Sequence, residues 1–228
     1  KGIRSHFVKT EQPTITKARI LGGKQQIVRL DYEQRLSLSA PALQQYEEQL
    51  LRWLVQASLL VISDYGKGLV SEPLCQFLVR QAGQLRIPVI VDPKGRDWDK
   101  YAGATLVTPN VKELGDIIGH PVDNDDRTIE QAGRQVLEEY RIGGLLVTRS
   151  EKGMSLVSPS CVRHIPTRAE EVFDVSGAGD TVVAALALAL AAGKEITEAM
   201  HIANAAAGVV VRKIGTATLT PEELAANL

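Results

Sequence analysis

Residues 174–181 read Asp-Val-Ser-Gly-Ala-Gly-Asp-Thr and run without a break into an almost wholly apolar segment that ends near residue 193. Gly177 and Gly179 have no Cβ, so the backbone there can take unusual dihedrals and let a bulky anion approach its N–H groups. At a helix start those N–H groups lack intrahelical acceptors and lie at the positive end of the dipole, which makes phosphate the natural occupant. A carboxylate at Asp180, beside such a turn, is electrostatically unfavourable unless it handles a proton, as a base taking a hydroxyl proton does. The competing reading is that Gly-Ala-Gly only lets the helix pack closely on a strand, with Asp180 an ordinary first-turn acidic residue. Either way, the sequence predicts a tight turn feeding a buried helix.

Other polar residues follow short apolar runs. Residues 59–63 lead into Asp64-Tyr-Gly-Lys-Gly68, residues 89–91 into Asp92-Pro-Lys94, and residues 105–108 into Pro109-Asn-Val-Lys-Glu113. Residues 144–148 lead into Arg149-Ser-Glu-Lys-Gly153. In open α/β sheets ligands bind outside the carboxyl ends of the strands, so Asp64 and Lys67 are candidate ligand contacts, with ordinary turn residues as the alternative. Asn110 and Glu113 are three apart and share a helix face; a capping box, in which each side chain bonds the other's backbone N–H, explains the pair by itself.

The elements that must hold these residues follow from periodicity. Residues 14–20 and 26–31, separated by Gly22-Gly23, alternate in part and predict a hairpin with one polar face. From Pro41, apolar residues recur at helical spacing through Leu54, and further helices are predicted over 73–85, 128–141 and 196–213, with a short one at 220–224. Strand, polar loop and helix repeat along the chain, which predicts βαβ units and a parallel sheet with right-handed crossovers. Residues 154–157 and 161–166 predict a second hairpin. Gly208 inside the last long helix costs about 1 kcal/mol relative to alanine, so close packing against something is expected there.

The 228 residues carry a formal net charge of −1 and are 44% hydrophobic, so neither a nucleic-acid partner nor a membrane is indicated. The longest apolar run, residues 182–192, is well short of the roughly 20 residues that span a bilayer. Cys75 and Cys161 stand far apart, and His6, His120, His164 and His201 are scattered, so no zinc site or disulfide framework is expected and a cytoplasmic location is simplest. A Walker loop, a Gly-x-Gly-x-x-Gly fingerprint and a Gly-x-Ser-x-Gly elbow are all absent, which weakens nucleotide-triphosphatase, oxidoreductase and hydrolase readings.

The string Asp174 to Thr181 closely resembles the carboxyl-terminal signature of the ribokinase-like (PfkB) sugar kinases, with Val175 where that family usually has Thr. The resemblance implies a three-layer α/β/α fold with a mostly parallel central sheet and a small β lid, for which the hairpin of residues 13–31 is the candidate. It also implies that Asp180 is the catalytic base and that Gly177, Ala178 and Gly179 form the anion hole. Asn110-x-x-Glu113 resembles the motif that organises magnesium and phosphate, so Glu113 is expected to act on Mg2+ through a water. Thr148 to Gly153 is similar to the nucleotide segment Val-Thr-x-Gly-x-x-Gly, with Ser150 where glycine is common; Thr148 and Gly153 carry over as ATP contacts. Asn204 and Gly208 lie on a helix that flanks the adenine in that family. Asp64, Lys67, Lys94 and Asp174 are the expected substrate contacts.

Within the family, residues 13–19, 29–33, 63–68, 92–94 and 213–224 resemble the kinases of D-glycero-β-D-manno-heptose 7-phosphate, which transfer the γ-phosphoryl group of ATP to the 1-hydroxyl on the way to ADP-heptose for lipopolysaccharide. The alternatives are another pentose or hexose kinase and a catalytically silent sugar- or nucleotide-binding module. The resemblance further implies a homodimer, leaves room for a monovalent cation, and leaves open a nucleotidyltransferase domain beyond Leu228, as in bifunctional kinases of this kind. Residues 1–228 are expected to form one kinase domain lacking its upstream strands, since nothing before the first hairpin resembles the family's opening strand or its Gly-Gly sugar motif. Such a chain should expose an apolar sheet edge, bind nucleotide weakly and phosphorylate sugar poorly.

Overall fold

The computed structural model of the protein describes residues 2–7, 12–22, 25–169 and 171–228. The first hairpin is present: β1 (Thr16–Gly22) pairs antiparallel with β2 (Gln25–Tyr32), with a register shift between Ile20 and Leu21. The predicted Gly22-Gly23 turn reaches into residues outside those described. Lys17, Arg19, Arg29 and Asp31 share one face of the ribbon, where Asp31 pairs with both Lys17 and Arg29, so the expected polar face is present. Ile20, Ile27, Val28, Leu30 and Tyr32 are all exposed, so neither face of the ribbon is covered by the rest of the chain.

Helix α1 (Ala40–Leu54) starts with a proline in its first turn and is followed by β3 (Leu60–Ser63), α2 (Glu72–Leu85) and β4 (Val89–Asp92). A 3-10 turn at Asp99–Tyr101 leads to β5 (Leu106–Val107), then to α3 (Val111–Ile118), α4 (Asp126–Tyr140) and β6 (Leu145–Thr148). Strands β7 (Met154–Val157) and β8 (Val162–Ile165) make the second predicted hairpin. Helices α5 (Ala178–Ala191), α6 (Ile196–Val210) and α7 (Pro221–Ala225) complete the chain.

The six strands β3 to β8 lie side by side in sequence order; β3 to β6 are parallel, and β7 and β8 are antiparallel. The alternation of side chains along each strand divides the core in two. Val89, Val91, Val107, Leu145 and Val147 pack with α1 to α4, while Ile90, Leu106, Leu146, Met154 and Leu156 pack with α5 and α6. The result is the expected three-layer α/β/α arrangement. Both faces of the middle strands are buried, which is why those strands read as continuous apolar runs. Strand β3 lies at the sheet's edge with a single strand partner among the described residues, and Val61 there is 39% exposed.

Two local expectations change. Helix α5 was expected to be buried; it buries Val182, Val183 and Leu186 but leaves a stripe of Ala184 and Leu188 exposed, because only the sheet and α6 cover it. Helix α6 stops at Val210 and not at residue 213, because the N–H groups of Phe173 and Asp174 take the Val211 carbonyl at 2.8 and 3.2 Å and the Arg212 guanidinium takes the Gly208 carbonyl at 3.0 Å.

Gly133, in the middle of α4, lies against Val157. A Cβ added there would sit 2.9 to 3.1 Å from three atoms of that side chain. Alanine is favoured over glycine in a helix interior by roughly 1 kcal/mol, yet here the crowding opposes it. Gly133→Ala is therefore expected to lower stability, and Val157→Ala to recover part of that loss in the double variant. A double-mutant cycle by urea unfolding checks this: additive effects with no favourable coupling would contradict the contact.

Candidate active site

Because β3 to β6 run parallel, the residues that follow them meet along one sheet edge. The edge is tightened by backbone bonds: the Asp64 N–H donates to Asp92 O at 3.0 Å, the Thr108 N–H to Val91 O at 2.9 Å, and the Thr148 N–H to Pro109 O at 2.9 Å. Asn110 and Thr148 thus sit side by side as a parallel bridge.

A cavity of about 520 Å³ opens beside this edge, between the sheet and the carboxyl-terminal helices. Asn110, Thr148 and Gly153 line one side of it, and Ala178, Gly179, Asn204 and Gly208 the other. Seven of the residues that the sequence set apart for nucleotide and phosphate therefore surround one space, walled by apolar groups such as Met154, Val182 and Val211. Glycine is required at Gly153 (φ +82°), where a Cβ would lie 2.1 Å from the Ile165 carbonyl oxygen, whereas one on Gly208 would meet the backbone of residues 168 and 169 at an ordinary 3.4 to 3.6 Å. Asn204 lines the cavity but spends its side-chain N–H on the Pro166 carbonyl at 2.6 Å, so it also fixes the wall.

At the mouth, Gly177 caps α5 in the left-handed region, φ +80° and ψ +5°. The turn closes on itself, with the Ala178 N–H donating to Val175 O at 3.1 Å and the Thr181 hydroxyl to Gly177 O at 2.8 Å. Asp180, in the first turn of α5, is exposed. Asp174, an expected substrate contact, has a structural part here as well. Its two oxygens accept the N–H groups of Ser176 at 2.8 Å and Gly215 at 3.1 Å, which tie the turn to the loop after α6, and the bonds from Ser176 hold its carboxyl below the usual range.

Asn110 and Glu113 form the full capping box: the Glu113 N–H donates to Asn110 Oδ1 at 2.9 Å and the Asn110 N–H to Glu113 Oε2 at 3.2 Å. The remaining oxygen, Oε1, receives Lys94 Nζ at 2.8 Å, and this contact raises the lysine pKa. Lys67 Nζ is held by Glu33 at 2.6 Å, at the foot of the first hairpin. Asp64 is a correction to the sequence reading. Its side chain is turned into the core, where Lys100 Nζ and the Tyr101 hydroxyl both donate to Oδ2 at 2.6 and 2.7 Å, so it does not face a ligand.

Two residues at this edge were given no role by the sequence. Asp92 ends β4 half-buried, and burial first, then the charges of Glu113 and Asp180, push its carboxyl up to about 6. The signal was an acidic residue at a strand end. Arg149 is 2% exposed, and its guanidinium donates to Asn124 Oδ1, Asp126 Oδ1 and Ser155 Oγ, pinning the Thr148 to Gly153 loop to the start of α4. Nothing in its neighbours along the chain announces this.

The pattern of the pfkB family of carbohydrate kinases matches residues 1–223. The bifunctional protein HldE of Proteus mirabilis (strain HI4320) is 45% identical over 224 residues, covering 97% of this chain and 46% of that protein. HldE of Hahella chejuensis (strain KCTC 2396) is also 45% identical, over 98% of this chain and 46% of its own length. The chain thus spans about half the length of these curated relatives. Among solved structures, phosphofructokinase-2 from Escherichia coli in complex with potassium superposes with a TM-score of 0.73 at 20% identity, over 88% of this chain and 65% of the other. Arabidopsis thaliana ribokinase complexed with ribose and ATP gives 0.72 at 22%, over 90% and 65%. At these identities the two structures speak to the fold.

The raised pKa of Asp92 has a consequence for stability. Folding favours its protonated form, so its contribution is fully present below the ordinary 3.8 and is lost as pH rises towards about 6. Asp92→Asn, which stays neutral, is expected to unfold at a higher temperature than the parent at pH 7 to 8 and to lose that advantage near pH 4. Thermal unfolding across this range in chelator-containing buffer checks it; an advantage that does not change with pH contradicts the electrostatic origin.

Proposed function

Because the chain belongs to the pfkB family of carbohydrate kinases, we propose that it forms the kinase part of an ATP-dependent enzyme that phosphorylates the 1-hydroxyl of a heptose 7-phosphate, D-glycero-β-D-manno-heptose 7-phosphate. The observation that carries the kinase reading is the convergence of Asn110, Thr148, Gly153, Asn204 and Gly208 with Ala178 and Gly179, at the start of α5, around one cavity of nucleotide size. The heptose reading is supported by the two HldE relatives, whose similarity runs over nearly all of this chain.

Phosphoryl transfer asks mainly for positioning and for neutralising charge on the transferred group. The adenine would lie among Val182, Ala207 and Val211, with the phosphates running towards the start of α5. Asp180 would take the proton of the sugar hydroxyl as that oxygen forms its bond to the γ-phosphorus and the bond to the bridging oxygen of ADP breaks. The backbone N–H groups at residues 177–179 would receive the charge on the phosphoryl oxygens, although the Val175 carbonyl must release the N–H of Ala178 if it is to take part. A magnesium ion held near Glu113 would supply positive charge against the phosphates. Among the described residues no three metal-ligating side chains cluster, so Glu113 would serve it through water, and Lys94 would shift from Glu113 towards phosphate.

The exposed Ile20, Ile27, Val28 and Leu30 of the first hairpin support a homodimer in which the lids cover one another. The relatives are bifunctional by name and about twice as long as this chain, which supports a second catalytic domain in the gene product, with a nucleotidyltransferase as the candidate. Among the described residues no helix is long and apolar enough to cross a membrane.

Three measurements test the reading. Heptose 7-phosphate is expected to be used with a kcat/KM far above that for ribose or fructose; comparable values for ribose would return the chain to a general pentose or hexose kinase. Asp180→Asn is expected to lower turnover by about 10²- to 10⁴-fold with ATP affinity retained, and turnover within a few-fold of the parent would remove Asp180 from the role of base. Glu113→Gln is expected to raise the magnesium concentration for half-maximal rate; loss of thermal stability with an unmoved magnesium curve would leave it as a helix cap alone.

A further inference from the structure

Asp64, Lys100 and Tyr101 are 5%, 8% and 0% exposed, a carboxylate, an ammonium and a phenol buried together beneath the sheet edge. Their bonds are directional. Asp64 Oδ2 receives Lys100 Nζ at 2.6 Å and the Tyr101 hydroxyl at 2.7 Å, and Oδ1 receives the Gly66 N–H at 2.7 Å. The Tyr101 oxygen in turn accepts the Lys94 N–H at 3.2 Å. One hydroxyl therefore joins the loop after β3 to the loop after β4, its proton on the first and its lone pair on the second. Each loop carries a half-exposed lysine: Lys67, whose carbonyl also accepts the Leu36 N–H at 2.7 Å, and Lys94, paired to Glu113.

We propose that Asp64, Lys100 and Tyr101 are positioning residues that hold the loops of Lys67 and Lys94 in a fixed mutual register, so that both ammonium groups meet one anionic substrate. Stability alone does not account for them. Taking a lysine and an aspartate out of water costs about as much as their attraction returns, and apolar residues of similar size commonly serve a core as well or better. What an apolar replacement cannot supply is direction, since only donors and acceptors with fixed geometry set where the Gly66 and Lys94 amides point. The span is also suited to coupling. From Glu33 at the hairpin's foot, contacts run through Lys67, the Gly66 amide, Asp64, Tyr101 and Lys94 to Glu113 at the start of α3. What the two lysines bind rests on the kinase reading above; the register itself does not.

The test uses Tyr101→Phe, which keeps the ring and removes the bridge, and the pair Asp64→Asn with Lys100→Met, which removes the charges together. Amide hydrogen exchange reads the register directly. In Tyr101→Phe the Gly66 and Lys94 amides are expected to exchange at least tenfold faster while those of β5 and β6 are unchanged; unchanged exchange at Lys94 overturns the bridge. With heptose 7-phosphate and ATP, the KM for the sugar phosphate is expected to rise five- to twentyfold in Tyr101→Phe, with kcat within threefold of the parent. In the double variant the melting temperature should return close to the parent's while the sugar KM stays raised. Joint recovery of melting temperature and KM would show that the trio serves stability only and would overturn the proposal. Measured on the intact gene product, no turnover on any sugar phosphate would overturn the kinase reading alone, and exchange at Gly66 and Lys94 would then uphold or overturn the register by itself.

Discussion

Parallel strands placed in sequence order deliver every strand's carboxyl end to the same edge, and the site of this protein depends on that constraint. Strands β3 to β6 contribute their last residues, Ser63, Asp92, Val107 and Thr148, and those that follow, and backbone bonds then tie neighbouring loops together. The helices between these strands all pack on one face, with Val89, Val91 and Val147 beneath them. The opposite face is left for α5 and α6, and the cavity forms where those two helices approach the edge. Had the strand order been interrupted, Thr148 and Asn110 could not have lain side by side.

Within that frame, space is made by absent atoms. Gly153 passes so near the Ile165 carbonyl that any side chain would collide with backbone, and Ala178, Gly179, Ala207 and Gly208 keep the opposite wall thin. A glycine in α6 weakens the helix by roughly 1 kcal/mol, a loss that tertiary packing of an otherwise buried helix offsets. The fold thus tolerates local conflict where the cavity requires it, while β4 and β6 beneath are packed from both sides.

The polar groups at the edge fall into two kinds. Asp174, Asp64 and Arg149 are consumed by the architecture, with hydrogen-bonding atoms committed to backbone or to buried partners. Asp92, Glu113 and Asp180 form a concentration of negative charge relieved by Lys94. Burial first, and then the charges of Glu113 and Asp180, disfavour the ionised form of Asp92 in the folded chain. Such an arrangement suits an incoming cation or a hydroxyl proton, which is how an energetic liability in the free chain becomes useful once substrates arrive.

The sequence by itself determined the element order, the parallel sheet and the residues around the cavity, because each is signalled locally. Valine-rich runs of four residues, prolines in first turns, the Asn110 to Glu113 spacing and the Gly-Ala-Gly turn all act within a few positions of themselves. Where the reading fell short, the deciding contact was distant along the chain. Asp64 reads as a ligand contact and is instead bound by Lys100 and Tyr101, and Asp174 is tied across the chain to Gly215. Arg149 gained its meaning from Asn124 and Ser155, and α6 ended where Phe173 and Asp174 reached the Val211 carbonyl. A residue type advertises what a side chain can donate or accept; which partner takes it is decided only when the tertiary fold has brought distant donors and acceptors within hydrogen-bonding distance and removed the water that would otherwise have served them.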